Sequence, residues 1–322
     1  MAKTTRLAKT LLKLIFPAIL LIVVAIAVAS VWLTFKTATP PAARYLVTPE
    51  KYGQLSSRGA QVTDESWTNR DGSTSRGWLL RGADNAPAVI LFHKYGSDRS
   101  YTLNLGVKLN ESTNFTVLMP DLRAHGVNPP VKNTSFGGCE SEDAIAAVEF
   151  LRNLKNANQI SLVGKDLGIY GIELGSLAAL EVAVKEQSIK AIALDSVPRD
   201  SDELITETVG RRFPFASVAT SKMAKFGTYL YFFDGCYKRD TSCDVARGLA
   251  DREILLLAGV DEPELQESTI KLAKCFPASD KVETKLDLSP SGFGIINSSM
   301  EQAEAYDQRL IDFFRRTLSP NN

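Results

Sequence analysis

The chain has 322 residues, 44% of them apolar and 23% charged, with 37 basic and 37 acidic side chains. That length holds one large α/β domain or two small ones, and the composition excludes a disordered or fibrous chain. The neutral total hides an asymmetry. Residues 1–36 contain Lys3, Arg6, Lys9, Lys13 and Lys36 and no acid, so the remainder is mildly acidic and no nucleic-acid partner is expected.

Leu14 to Phe35 is a run of 22 residues without a charge. At about 1.5 Å per residue, a helix of that length crosses the ~30 Å hydrocarbon core of a bilayer. Residues 14–35 are therefore predicted to be a transmembrane helix, and residues 1–13 a basic cytoplasmic tail. Lys36 and Arg44 follow the run, but the excess of positive charge before it puts the N-terminus in the cytoplasm. The main domain then lies outside, in a periplasm or extracellular space. The alternative is a signal peptide cleaved after Ala27-Val28-Ala29. Signal h-regions are about 7–15 residues long, and here Val31-Trp32-Leu33 continues the apolar run past the cut, so an uncleaved anchor is preferred. Residues 36–58, with Pro40-Pro41, read as a linker stiffened by proline, and residues 59–322 as the ectodomain.

The four cysteines are Cys139, Cys236, Cys243 and Cys275. None forms a C-x-x-C pair and the chain has two histidines, so neither a zinc site nor another cofactor is expected. Cys236 and Cys243 flank a short polar segment and are expected to bridge in an oxidising compartment. The state of Cys139 and Cys275 depends on a separation that sequence does not give.

Gln61–Trp67 and Arg76–Leu80 read as two early strands turning at Asp71-Gly72. Val89-Ile90-Leu91-Phe92 is a continuous apolar run of the kind found in strands buried on both faces. Similar runs recur at Phe115–Met119, Ile160–Val163, Ala191–Leu194 and Ile254–Leu257, and Val282–Leu288 is a last candidate. Between them, Ala144, Ile145, Val148, Leu151 and Leu154 fall at helical spacing. Leu177, Leu180, Val182 and Val184 do so less cleanly, and Leu265, Ile270, Leu272 and Ala273 more weakly. Met300–Leu318 closes the chain as an amphipathic helix carrying Tyr306, Leu310, Phe313 and Phe314. Strand and helix in alternation predict right-handed crossovers and a mostly parallel, doubly wound sheet. Residues 197–252 are too many for a simple crossover and carry eight aromatics between Phe213 and Tyr237. They read as a cap over the carboxyl edge of the sheet, or as a helix pair extending the core.

The stretch from Gly168 to Leu180 carries the chemistry. An apolar strand runs into Gly171-Ile172-Glu173-Leu174-Gly175, and a small-residue helix start follows, the context of a nucleophile elbow. Glycine allows the sharp turn and the close approach of helix to strand. The middle residue is thrown out above the sheet edge; in an acyl-transfer enzyme it is serine, and here it is Glu173.

With these segments the chain, over roughly residues 60–318, resembles the α/β-hydrolase fold family, in its bacterial esterase and peptidase-like branch. Val89 to Gly96 looks like the strand and His-Gly loop that supplies an oxyanion donor. Pro120 to Gly126 looks like the Asp-x-Arg-Gly-His-Gly loop, Leu256 to Asp261 like the strand ending in the acid, and Ser291-Gly292-Phe293-Gly294 like the loop that carries the base. The resemblance implies a nucleophile, a base and an acid, and at those positions stand Glu173, Phe293 and Asp261. Only the acid is kept. Lys94 stands where the family usually has glycine, and Lys94, Tyr95 and Leu174 are the candidate binding residues around the oxyanion region.

Relatives with an elbow Asp form an ester that a histidine-activated water hydrolyses, but no histidine follows residue 125. His93 and His125 are expected to hold loops. Ser176, three residues past Glu173, is a second nucleophile candidate on a position that favours a small packing residue. Glu173 is expected to fill the anion hole with its own charge or, alternatively, to pair with Lys94 reaching across. Asp195-Ser196 reads as a loop cap, Asp121 and Arg123 as loop contacts, and Asp98 as an acid at the start of a helix. Three functions are compatible with this pattern. The first is a membrane-anchored pseudo-hydrolase whose ectodomain binds an apolar small molecule or a protein partner. The others are a hydrolase with a rearranged site using Glu173 or Ser176, and a structural ectodomain.

Overall fold

The computed structural model describes residues 2–42, 45–53, 61–156, 158–213, 215, 218–233, 235–237 and 240–319. Ala43, Arg44 and residues 54–58 of the expected linker lie outside them, as do residues 59–60. The apolar runs assemble into one sheet: β1 (Val62–Thr68), β2 (Thr74–Leu80), β3 (Ala86–Phe92), β4 (Thr116–Pro120), β5 (Val163–Ile172), β6 (Ile189–Asp195), β7 (Glu253–Gly259) and β8 (Val282–Leu288). Their order is β1-β2-β4-β3-β5-β6-β7-β8. The β1–β2 and β2–β4 pairs are antiparallel and all others parallel.

The helices are α1 (Ala2–Ala38), α2 (Pro49–Gly53), α3 (Leu103–Thr113), α4 (Gly138–Asn153), α5 (Leu174–Lys185), α6 (Ser201–Arg212), α7 (Val218–Tyr231), α8 (Ser242–Ala246), α9 (Pro263–Leu272) and α10 (Met300–Leu318). Alternate residues of one strand feed two cores. Ile90 and Phe92 join the layer of α4 and α5, while Val89 and Leu91 join that of α3 and α10. A strand whose successive side chains are both buried needs no polar alternation, which is why β3 reads as a solid apolar run. Ile160, expected at the start of β5, is exposed; the strand begins at Val163.

Helix α1 is continuous past residue 36, and Ile15–Ala38 is long and apolar enough to cross a membrane, with a mean hydropathy of 2.7. Its last turn is seated on the body rather than leading into a free spacer. Thr37 and Ala38 are fully buried. The Tyr95 hydroxyl donates to Thr37 O at 2.7 Å, and Arg212 Nη1 donates to Lys36 O at 2.6 Å and Thr39 O at 2.9 Å.

Helices α6, α7 and α8 fill the long crossover between β6 and β7. Asp200 caps α6 by accepting from Glu203 N at 2.8 Å, which starts the helix abruptly after the loop. Few of the expected aromatics are core. Phe213, Phe232 and Tyr237 pack against it, whereas Phe215, Phe226, Tyr229, Tyr231 and Phe233 are exposed.

The expected Cys236–Cys243 bridge does not form. Cys139 pairs with Cys236, Cα–Cα 5.0 Å, and Cys243 with Cys275, Cα–Cα 5.3 Å. The backbone after α7 is pressed onto the start of α4, so closely that a Cβ on Gly138 would stand 1.5 Å from Cys236 O. That contact sets Cys236 beside Cys139, while α8 packs on α9 and brings Cys243 to Cys275. The two bridges thus join the crossover helices to α4 and to the segment after α9. A non-reducing tryptic digest of the purified chain should give the Cys139–Cys236 and Cys243–Cys275 cross-linked peptides and no Cys236–Cys243 species.

Candidate functional site

Between the end of β5 and the start of α5 the chain turns on a single residue. Glu173 has φ 49° and ψ −107°, a region sparsely populated by non-glycine residues and costing about 1–3 kcal/mol. The surrounding frame holds it there. Glu173 N donates to Asp195 O at 3.0 Å, and Glu173 O accepts from Ser176 N at 3.0 Å and Leu177 N at 3.2 Å. A Cβ on Gly171 would lie 2.2 Å from Gly175 O, and one on Gly175 would lie 2.7 Å from His93 O. Both approaches are to backbone, so neither neighbour can yield, and glycine is required at both.

The Glu173 carboxylate is fully buried. Its Oε2 accepts from Tyr95 N at 2.9 Å, and its Oε1 accepts from the Arg211 guanidinium, supplied by the last turn of α6. Arg211 also reaches Glu262 Oε2 at 3.2 Å. The elbow residue is thus covered by a helix of the crossover. The expected Lys94–Glu173 pair is absent. Lys94 Nζ donates to Phe293 O at 2.6 Å and lies 3.6 Å from the centre of the Phe293 ring. Arg211 stands 4.7 Å from the same ring centre. A planar, weakly hydrated guanidinium can serve a carboxylate and an aromatic face together, which a compact ammonium does less well. Burial pushes the Lys94 amine pKa down, opposed by the negative charge of Glu173.

Asp261 faces the Ser291–Gly294 loop. Its Oδ1 accepts from Ser291 N at 2.9 Å and its Oδ2 from Ser291 Oγ at 3.0 Å. Phe293, two residues on, has no ring nitrogen to offer it. Leu174 is buried in the core beside α4, and Ser176 is buried with its Oγ donating to Glu173 O at 2.6 Å.

Two residues of this region were not foreseen in these roles. Arg211 was unassigned, although a buried carboxylate demands a cation and the Arg211-Arg212 pair was available in the crossover. Asp195, expected to cap a loop, is a fully buried strut at the end of β6. It accepts from Gly292 N at 2.9 Å, Tyr306 Oη at 2.6 Å and Ser196 Oγ at 2.6 Å. Burial raises its pKa, and those hydrogen bonds oppose the rise. Asp98 begins a helical turn as expected, accepting from Ser100 N at 2.9 Å. Arg123 pairs with Asp143 and Asp71, and Asp121 with Arg99, all as loop contacts.

All four histidine ring nitrogens are committed to backbone. The Nδ1–H groups donate to Lys94 O at 2.8 Å (His93) and Arg123 O at 2.7 Å (His125). The Nε2 atoms accept from Leu122 N and Gly96 N, each at 3.0 Å. Desolvation pushes His93 down to about 4 and His125 to about 3. Neither imidazole is free to move a proton at residue 173. Among the described residues, no three His, Cys, Asp or Glu side chains converge as a metal-ligating group.

This strand order, elbow and base loop define the α/β-hydrolase fold, and comparison with solved structures shows the same. An esterase from Pyrococcus furiosus superposes with a TM-score of 0.63 at 20% identity, covering 88% of this chain and 98% of its own. A dienelactone hydrolase from Anabaena variabilis gives 0.55 at 14% identity, covering 81% of this chain and 99% of its own. An α/β hydrolase from a Penicillium species gives 0.55 at 16% identity, covering 80% and 99%. No protein-family model and no curated protein matches the chain.

Removing Arg211 leaves a buried charge without its cation, which costs about 3–5 kcal/mol in fully buried pairs. Because the Arg211 side chain is 33% exposed, the lower end applies. Arg211→Met should therefore lower unfolding free energy by about 3 kcal/mol. The Glu173→Gln, Arg211→Met double variant should recover most of it, as read by urea unfolding in detergent.

The histidines give a separate test. Between pH 6.5 and about 4 an unfolded chain binds protons that folded His93 and His125 refuse, so their contribution to stability falls as pH falls. Asp121 and Asp143, raised to about 6 by burial, bind protons in the folded state first and act with the opposite sign between about 6 and 3.8. At pH 5, nitrogen-15 NMR should show both imidazoles as neutral Nδ1–H tautomers; a midpoint above 6 at either would contradict the geometry.

Proposed function

We propose that this chain is a membrane-anchored pseudo-hydrolase, an ectodomain that keeps the hydrolase scaffold and binds a ligand or protein partner without turning over esters. One observation carries the reading: the Glu173 carboxylate accepts the Tyr95 N–H, the backbone donor on the loop that resembles an oxyanion loop. An oxyanion needs that donor at the moment charge develops on it. Here the donor is occupied by a permanent carboxylate, which would also repel a second negative charge. Three further features support the reading. The elbow side chain is buried, Phe293 stands where a base would be, and Ser176 Oγ is spent on a backbone carbonyl.

The anchor is argued from the apolar span Ile15–Ala38, and the non-cytoplasmic placement of the body from the charge before that span and from two disulfides, which persist in oxidising compartments. An apolar small molecule or a protein is the class of partner that a non-catalytic ectodomain of this composition would take, and no cofactor enters the reading.

A fluorophosphonate probe tests the central claim. The wild-type chain should remain unlabelled, and the Glu173→Ser, Phe293→His double variant should be labelled at position 173, because Asp261 still faces the loop that would carry the new imidazole. Labelling of the wild type at any side chain of the crevice would overturn the proposal.

A further inference from the structure

A long apolar groove runs between α1 and α7, with a volume of 660 Å³. One wall is the face of α1 from Val23 to Ala38, and the other carries Met223, Phe226 and Leu230. The two helices touch where Gly227 meets the Ser30–Thr34 turn. A Cβ on Gly227 would stand 2.0 Å from Thr34 Oγ1 and 3.0 Å from Ser30 O. Close contact through small residues is the way helices associate when lipid, not water, surrounds them. The hydroxyls there make no demand on a ligand. Ser30 Oγ donates to Ile26 O at 2.9 Å, and Thr34 Oγ1 to Ser30 O at 2.8 Å.

We propose that this groove holds one acyl chain of a phospholipid from the leaflet next to the body, a reading that rests on α1 being the membrane anchor proposed above. Depth makes the first argument. The body is seated on the last turn of α1, so Val23–Ala38 is the two thirds of the span nearest the body. What fills a groove there is hydrocarbon.

Shape makes the second. From residue 23 to residue 38 a helix rises about 22 Å. The groove therefore has the length of an extended hydrocarbon chain. The exposed apolar side chains of α7, on the groove wall and beside it, make the third. Val218, Phe226 and Leu230 are each more than half exposed, an arrangement unfavourable in water and satisfied at a lipid boundary.

The test uses the full-length protein in phosphatidylcholine–phosphatidylglycerol nanodiscs doped with a phosphatidylcholine that carries a diazirine on its acyl chain. After photolysis, peptide mass spectrometry should find adducts at Met223, half-buried on the groove wall, and at Leu20 and Leu21, exposed on α1. Ala27→Trp, and independently Val31→Trp, should fill the groove and cut labelling at Met223 at least fivefold, while Leu20 and Leu21 change less than twofold. Labelling at Leu20 and Leu21 with none at Met223, or labelling at Met223 that neither tryptophan reduces, overturns the groove assignment and leaves the anchor standing. With p-benzoylphenylalanine placed at position 226, photo-cross-links between two copies would assign the groove to a second copy and overturn it too. No label at Leu20 or Leu21 removes the anchor, and the inference with it.

Discussion

A carboxylate taken wholly out of water is expensive to bury, and the arrangement around Glu173 follows from meeting that cost. The Arg211 guanidinium and the Tyr95 N–H replace the lost hydration, one from the crossover helices and one from the loop after β3. Three parts of the chain are therefore tied to one side chain. The strained elbow presents it, the loop after β3 donates to it, and α6 closes over it. The same guanidinium lies on the ring of Phe293, so the residue standing where a base would be becomes part of the packing that holds the cation.

The interaction also shows how the elbow of this fold can hold a buried acid in place of a serine. A hydrolase elbow is strained so that its nucleophile projects into a crevice lined with donors. Here the same strain projects an acid into the donor, and the crevice is satisfied from within. Asp195, Tyr306 and Asp261 still brace the Ser291–Gly294 loop, because the loop has to be held whether or not it carries a histidine.

The body is not hung from its N-terminal helix by a free tether. Thr37 and Ala38 are buried, Tyr95 and Arg212 bond the last turn of α1, and α7 lies along the same helix. Tyr95 takes part in both arrangements, with its amide on Glu173 and its hydroxyl on Thr37 O. Residues 94–96 thus form a physical bridge between the elbow and the apolar helix, and the two disulfides join the crossover segment to the same body.

Much of this was legible along the chain. Aliphatic runs marked the parallel strands because such strands are buried on both faces, and the Gly-x-Glu-x-Gly turn marked the elbow because only glycine allows helix and strand to approach so closely. The want of any histidine after residue 125 was likewise plain from the sequence. These are properties of neighbouring residues, and periodicity and local sterics determine them. What the tertiary structure alone decided is which distant groups meet. Arg211 lies 38 residues from Glu173, Cys139 lies 97 from Cys236, and Cys243 lies 32 from Cys275. Lys94 was the nearer candidate by motif, and Cys236 and Cys243 the nearer pair by spacing. Both lost to partners that helix packing delivered, because an ion pair or a disulfide is selected by separation in space, and no pattern along the chain encodes that distance.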